Sequence, residues 1–306
     1  AHTKLSYSRA FMVRAYLLQT HEMLFDAHFH SLSALGGVPE RGIYDNMKTA
    51  VDKVGHGKER TVNKRFLAMA SHYLFEPDFC NPAAGWEKGQ VEKSVRDARP
   101  RLFYDAPNFD SLVDLNKWLE QRCFALWKEI IHPEFKQQSV YQVWQEEQLR
   151  LMPMPQAFDD YVERSKRVST TCLITFERNR YSVPAAYANQ TISLHVYPDR
   201  LEIITDADVI ATHQRLFNRY HDSGQTVYDW QHYVSVLQRK PGAIRNGAPF
   251  IEMPDSFRQL QRQLLKYKGG DRQMADILAL VLHFPESELE LAIIEALKSE
   301  HRVKSM

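Results

Sequence analysis

Gly85-Trp86-Glu87-Lys88-Gly89-Gln90-Val91-Glu92-Lys93-Ser94-Val95-Arg96, read with Gly42-Ile43-Tyr44-Asp45-Asn46 upstream, decides the reading of this chain. Gly42 to Tyr44 is a short apolar run that reads as a strand ending at Asp45. A helix starting near Trp86 or Glu87 and running to about Ala98, before Pro100, carries Glu92 among Lys88, Lys93, Arg96 and Arg99. One acid at a strand end and one on a basic helix suit a divalent metal held beside nucleic-acid phosphate. Such ions need only a few carboxylates and keep several waters.

The helical period puts Lys88, Glu92, Arg96 and Arg99 on one face, since they stand at i, i+4, i+8 and i+11. Glu87 is a rival acid on the same helix. It projects about 140° away from Glu92, five steps of about 100° each, so the two cannot serve one site. The plain alternative is that Glu92 and Arg96 form a solvated i, i+4 pair contributing about 0.2–0.5 kcal/mol. Spacing alone leaves both readings open.

Outward from these segments the chain alternates strands and helices. Ala10 to Leu18 reads as a buried strand, and His21 to Leu35 as a helix stopped by Gly36-Gly37-Val38-Pro39. Arg60 to Tyr73 reads as a helix and Leu74 to Cys80 as a strand before the loop Asn81 to Gly85. That order is an α/β layer pattern. Asp105 to Lys166 reads as mostly helical, with Trp118, Leu119, Cys123, Leu126 and Trp127 as an apolar core stripe. From Thr170 to Leu216 the period drops to two, as in Thr191 to Tyr197, with turn signals at Glu177-Arg178-Asn179, Pro198-Asp199-Arg200 and Asp206-Ala207-Asp208. Five short strands there predict a small barrel. After Tyr220 the pattern is helical, with Tyr228 to Leu237 and Asp271 to His283 as segments. Ser287-Glu288-Leu289-Glu290 is a capping-box pattern before a last helix.

With 39 Lys and Arg against 38 Asp and Glu, a nucleic-acid role requires clustered cations. They are clustered: Lys48, Lys53, Lys58, Arg60, Lys64 and Arg65 in one run, and Lys88 to Arg101 in another. Cys80, Cys123 and Cys172 form no C-x-x-C pair, which excludes a zinc ribbon or a disulfide framework and fits a reducing compartment. No apolar run approaches the roughly 20 residues of a membrane span. Gly55-His56-Gly57-Lys58 lacks the full phosphate-loop spacing and reads as a flexible basic loop. His21, His28 and His30 have no companion at ligand spacing and read as core or surface histidines. Asp26 and Asp52 read as exposed acids. The chain starts at Ala1 close to a strand, which is expected of a piece of a longer protein.

At these residues the sequence resembles the DDE transposase and retroviral integrase superfamily. Asn81-Pro82 and Gly89-Gln90-Val91-Glu92 match its N-P … G-x-x-E element, and Gly36 to Pro39 with Tyr44 to Lys48 match the strand that bears its second acid. The match is closer to the bacterial insertion-sequence family whose transposase is called IstA and works with an AAA+ ATPase, IstB. Tyr7-Ser8-Arg9, Tyr228-Asp229-Trp230, Arg239 to Ala243 and Arg245 to Ala248 extend it toward both ends of the chain.

The resemblance implies an α/β RNase H-like catalytic core, N-terminally incomplete, over residues 1–104. It implies a helical linker over 105–168, a small SH3-like β-barrel over 169–216 and an α-helical tail over 217–306. It selects Glu92 over Glu87 and makes Asp45 and Glu92 catalytic ligands of Mg²⁺, with Mn²⁺ as substitute. Asn46, Lys48, Lys58, Arg60, Lys64, Lys88, Lys93, Arg96, Arg99 and Arg101 are the expected DNA contacts. The implied reaction is 3′-end processing and strand transfer of insertion-sequence ends. The implied partners are terminal-repeat and target DNA, an IstB-like AAA+ ATPase and a second copy of the chain, in the bacterial cytoplasm. The first acid of the family's triad is expected on a strand before Ala1, because Asp26 lies on a helix. A non-catalytic scaffolding fragment is the alternative.

Overall fold

The computed structural model describes residues 1–44, 50–54, 60–80, 100–217 and 224–298. The chain divides into two units, Ala1–Val162 and Glu163–Met306.

The first unit opens with an antiparallel hairpin, β1 (His2–Lys4) on β2 (Phe11–Val13), in the register Thr3 opposite Met12. The strand expected over Ala10 to Leu18 is shorter: Arg14 still exchanges backbone bonds with Ala1, and at Ala15 the partner is the Asn116 side chain. That side chain accepts from Ala15 N at 2.7 Å and donates to Ala15 O at 3.0 Å. Helix α1 (His21–Leu35) ends as predicted at Gly36, which sits at φ 88° and bonds back to Leu32 and Ser33. Gly37 is required for a second reason: a Cβ there would lie 2.6 Å from the backbone oxygen of Met152, whereas one at Gly36 would meet only the movable end of Gln148.

Strand β3 (Arg41–Tyr44) is followed by a hairpin, β4 (Val51–Val54) on β5 (Arg60–Val62), and then by α2 (Lys64–Tyr73). The expected helix from Arg60 therefore begins at Lys64. Asn63 sets the start, its side chain accepting from Arg65 N and Phe66 N. Strand β6 (Glu76–Phe79) then lies parallel to β3, as the α/β pattern requires. The described strands of this unit pair two by two and do not assemble one larger sheet.

Helices α3 (Leu112–Glu129) and α4 (Val140–Gln148) are capped by Ser111 and by a Ser139–Gln142 capping box. The predicted apolar stripe is core: Leu119, Cys123 and Trp127 are fully buried with Phe11, Leu35 and Trp144. Both buried indoles keep a partner, Trp127 Nε1 donating to Phe11 O and Trp144 Nε1 to Leu35 O. Phe25, Leu32, Phe66, Met69, Tyr73 and Phe75 make a second cluster between α1, α2 and β6.

The second unit corrects two expectations. Val162–Arg167, assigned to the helical linker, is strand β7, and it lies beside β10. The predicted small barrel is two sheets among the described residues, with no closed barrel: β12-β11-β10-β7 and β13-β9-β8. Their strands are β8 (Leu173–Phe176), β9 (Asn179–Ser182), β10 (Thr191–Val196), β11 (Arg200–Thr205), β12 (Asp208–Gln214) and β13 (Thr226–Val227). The predicted turns are present. Glu177-Arg178 and Asp206-Ala207 each put two successive residues at positive φ, the geometry that fits a two-residue hairpin loop to strand twist. The alternation of β10 is real, with Ile192, Leu194 and Val196 buried, and both sheets share one core with Ile174, Tyr181, Leu201 and Ile203.

The tail is helical: α5 (Val234–Arg239), α6 (Asp255–Leu264), α7 (Gly270–Leu278) and α8 (Glu286–Lys298) around Trp230, Phe257, Leu260, Met274, Leu278 and Ile293. Ser287 is not a cap. Helix α8 begins after Pro285, whose carbonyl accepts from Glu288 N and Leu289 N, so Ser287 lies inside the first turn. No described helix is long and apolar enough to cross a membrane.

Candidate functional site

The parallel pair β3–β6 fixes one edge of the first unit. Arg41, Gly42, Ile43 and Tyr44 face Glu76, Pro77, Asp78 and Phe79, and Cys80 N donates to Tyr44 O at 2.9 Å beyond the last pair. Tyr44 and Cys80 are therefore bonded neighbours at the carboxyl ends of the two strands. The residues that follow them in sequence are Asp45 and Asn81. The carboxyl ends of strands are where open α/β sheets gather their ligands, because the connecting loops diverge there.

Tyr44 is held from below. His28 Nδ1 lies 2.7 Å from Leu24 O, which only accepts, so that nitrogen carries the proton; Nε2 then accepts from Tyr44 Oη at 2.9 Å. Burial lowers the His28 pKa, with the Leu24 carbonyl opposing, and burial raises that of Tyr44, so the pair is neutral. Phe66, Phe75 and Phe79 pack round the phenol with ring centroids 5.0, 6.1 and 5.9 Å away. The histidine that spacing read as core or surface is thus core, and it anchors the residue before Asp45.

Asp26 departs from the expectation of an exposed acid. It is mostly buried, bonded by Tyr16 Oη, by Arg14 Nε at 3.1 Å and by His30 Nε2 at 3.3 Å. Burial raises its pKa, but the bonds from His30 and Tyr16 and the Arg14 charge outweigh that and hold it below the usual carboxylate value. Both oxygens are engaged by the chain itself. Among the described residues no group of three or more His, Cys, Asp or Glu is placed to hold a metal ion.

Of the residues singled out in the sequence, Asp45, Asn46, Lys48, Lys58, Lys88, Glu92, Lys93, Arg96 and Arg99 lie outside the described residues, as do the Gly55–Lys58 loop and the Trp86 to Ala98 helix. Arg60 pairs with Val54 in the β4–β5 hairpin. Lys64 is exposed at the start of α2, and Arg101 is exposed just before Leu102 enters the core. Arg65, part of the basic run, is engaged within the chain. Its guanidinium donates to Asp159 O and Tyr161 O and stacks 4.8 Å over both the Phe158 and Tyr161 rings. With Phe158 N donating to Tyr73 Oη, it straps the segment after Met152 onto α2. That strap, and the Tyr44–His28 pair, join residues far apart in sequence, and local periodicity carries no signal for them.

Residues 153–229 match the family model described as Mu transposase, C-terminal domain. The chain is 61% identical over 300 residues to a transposase of Aminobacter aminovorans, covering 98% of this chain and 59% of that protein. It is 59% identical over 298 residues to the transposase for insertion sequences IS1326/IS1353 of Pseudomonas aeruginosa, covering 96% and 59%. It is 32% identical over 212 residues to the transposase for insertion sequence element IS21 of the same organism, covering 69% and 54%. The chain thus spans between half and two thirds of the length of these relatives. Over the segment that it spans, the chain is similar to insertion-sequence transposases, those for IS1326/IS1353 and IS21 among them.

Proposed function

We propose that this chain is part of a DNA transposase that cuts insertion-sequence ends and joins them to target DNA, with Asp45 and Glu92 as two of its catalytic carboxylates. The observation that carries the reading is the parallel β3–β6 edge, where Tyr44 and Cys80 stand side by side immediately before Asp45 and the Asn81 to Glu92 segment. The relatives named as transposases support it.

In this reading the core is RNase H-like, and a third carboxylate comes from the part of the protein preceding Ala1. Asp45 and Glu92 would hold Mg²⁺, or Mn²⁺ in its place; when bound, such ions activate the attacking oxygen and stabilise the leaving one. The chain's own groups do the placing. The neutral Tyr44–His28 pair fixes the end of β3, so the following carboxylate starts from a rigid strand. Lys88, Lys93, Arg96 and Arg99 hold the phosphate backbone beside Glu92. Two displacements follow at phosphorus. Water attacks the phosphodiester at the element's end and the 3′-oxygen leaves; that 3′-hydroxyl then attacks a target phosphodiester and a new 3′-oxygen leaves. The protein works as at least a dimer on paired ends, with an IstB-like ATPase, in the bacterial cytoplasm.

The test uses protein spanning the full length of the relatives on a duplex carrying the element's end. Nicking lost in a chelator and restored by Mg²⁺ or Mn²⁺ is expected; nicking indifferent to chelation rejects the metal assignment. A non-catalytic scaffolding fragment is the second reading, motivated by the expectation that the first acid of the triad lies outside residues 1–306. Mn²⁺-dependent cleavage by residues 1–306 alone would exclude it.

A further inference from the structure

The tail is divided by charge. Between Val234 and Arg272 eight Lys and Arg stand against three Asp and Glu, whereas Gln273 to Lys298 holds five acids and one cation. The whole chain is near neutral at +1, so the basic stretch is a local surplus rather than a property of the composition. Within it α6 sorts its residues by face. Phe257, Leu260 and Leu264 are buried in the helical core. Arg258 and Arg262 stand four apart on the opposite face, and Lys266, Tyr267 and Lys268 follow in the turn beyond Leu264; all five are exposed. Arg258 pairs with Asp255. Arg262, Lys266 and Lys268 form no ion pair with the described residues.

We propose that this face of α6 and the turn after it is a docking surface for the backbone of duplex DNA, bound without regard to sequence. From Arg258 to Leu264 the helix rises about 9 Å at 1.5 Å per residue, a length along which a duplex presents about five phosphates, and Lys266 and Lys268 extend the cations through the turn beyond. Gln259 and Gln263 are exposed among them, and Arg, Lys, Gln and Tyr are the side chains that contact phosphate and sugar. An acidic protein partner fits less well, because a protein interface needs an apolar centre and Tyr267 is the large apolar side chain exposed in the stripe. The proposal adds a DNA contact in the second unit to the transposase reading. It does not depend on Asp45 or Glu92, so the two can fail separately.

The experiment measures binding of residues 1–306 to a 30-base-pair duplex of arbitrary sequence by fluorescence anisotropy, from about 50 to 200 mM salt. The variant carries Arg262→Gln, Lys266→Gln and Lys268→Gln, three exposed positions whose loss leaves the core intact. Three lost phosphate contacts lower the slope of log affinity against log salt by about 2.7, so the weakening across that salt range shrinks about fortyfold. A charge-keeping variant, Arg262→Lys with Lys266→Arg and Lys268→Arg, keeps the wild-type slope. An unchanged slope and affinity in the Gln variant overturn the proposal. So does poly-glutamate binding that the Gln substitutions abolish while duplex binding stays as in wild type, which assigns the stripe to an acidic protein.

Discussion

Replacing Arg215 with Met removes the clamp that ties the hairpin β8–β9 to the other sheet. The Arg215 side chain is 1% exposed; its Nη2 and Nε meet the two oxygens of Glu177 at 2.7 and 3.1 Å, and Nη1 donates to Tyr197 O at 2.9 Å. The guanidinium also lies over Phe176 and Phe217, at 5.4 and 4.9 Å from their ring centres. Breaking a buried ion pair from one side costs about 3–5 kcal/mol, because the other charge stays behind. Glu177 is 32% exposed and can recover some water, and methionine refills much of the stem volume. The expected loss is therefore about 3 kcal/mol, at the low end of that range. Urea denaturation of residues 1–306, with hydrogen exchange read at the amides of β8 and β9, separates the second unit from the first. A second variant, Arg215→Met with Glu177→Met, should regain most of the loss, since an apolar pair of similar volume leaves no stranded charge. A single-variant loss below about 1 kcal/mol, the scale of a surface ion pair, would refute the reasoning.

Two further outcomes follow from buried polar pairs. Tyr44→Phe removes the donor to His28 Nε2 and should destabilise the first unit by about 1–3 kcal/mol, the penalty for a stranded buried acceptor; a variant as stable as wild type in urea would contradict the pairing. Burial lowers the His232 pKa to about 4, with Asp229 opposing and His213 assisting, while its Nδ1 meets Ser182 Oγ at 2.9 Å. The unfolded chain then binds the proton first. The stability from neutral His232 is present above about pH 6.5 and is lost as pH falls toward 4. His232→Gln should flatten that acid limb in a pH series of urea midpoints, and identical limbs would rule the histidine out.

What the sequence made legible was local. Gly36-Gly37 ended α1 because Gly36 takes a positive φ and a Cβ at Gly37 would strike the Met152 carbonyl. The alternation of Thr191 to Tyr197 marked a strand buried on one side, and the Trp118 to Trp127 stripe marked a core helix. What it hid was imposed by partners distant in sequence. Val162–Arg167, with four charged residues in six, has no apolar alternation and is a strand only because β10 lies beside it. Arg60–Val62 was absorbed into the following helix because nothing local separates them until Asn63 caps it. Asp26 read as an exposed acid because Arg14 and Tyr16 reach it only once β2 has packed against α1, joining His30 four residues on along the same helix. For the candidate site, the sequence named Asp45 and Glu92, whereas the neutral Tyr44–His28 support beneath the strand end emerged from the fold.

The central claim is that Asp45 and Glu92, and not Glu87, are metal-binding carboxylates. It is tested most directly by strand transfer in Mg²⁺ with full-length protein carrying Asp45→Asn, Glu92→Gln or Glu87→Gln, each checked for duplex binding. The account predicts at least about a hundredfold loss for the first two, with DNA binding kept, since each would remove a ligand of the catalytic ion. It predicts near wild-type rates for Glu87→Gln. An active Glu92→Gln protein, or an inactive Glu87→Gln protein that still binds DNA, would contradict it.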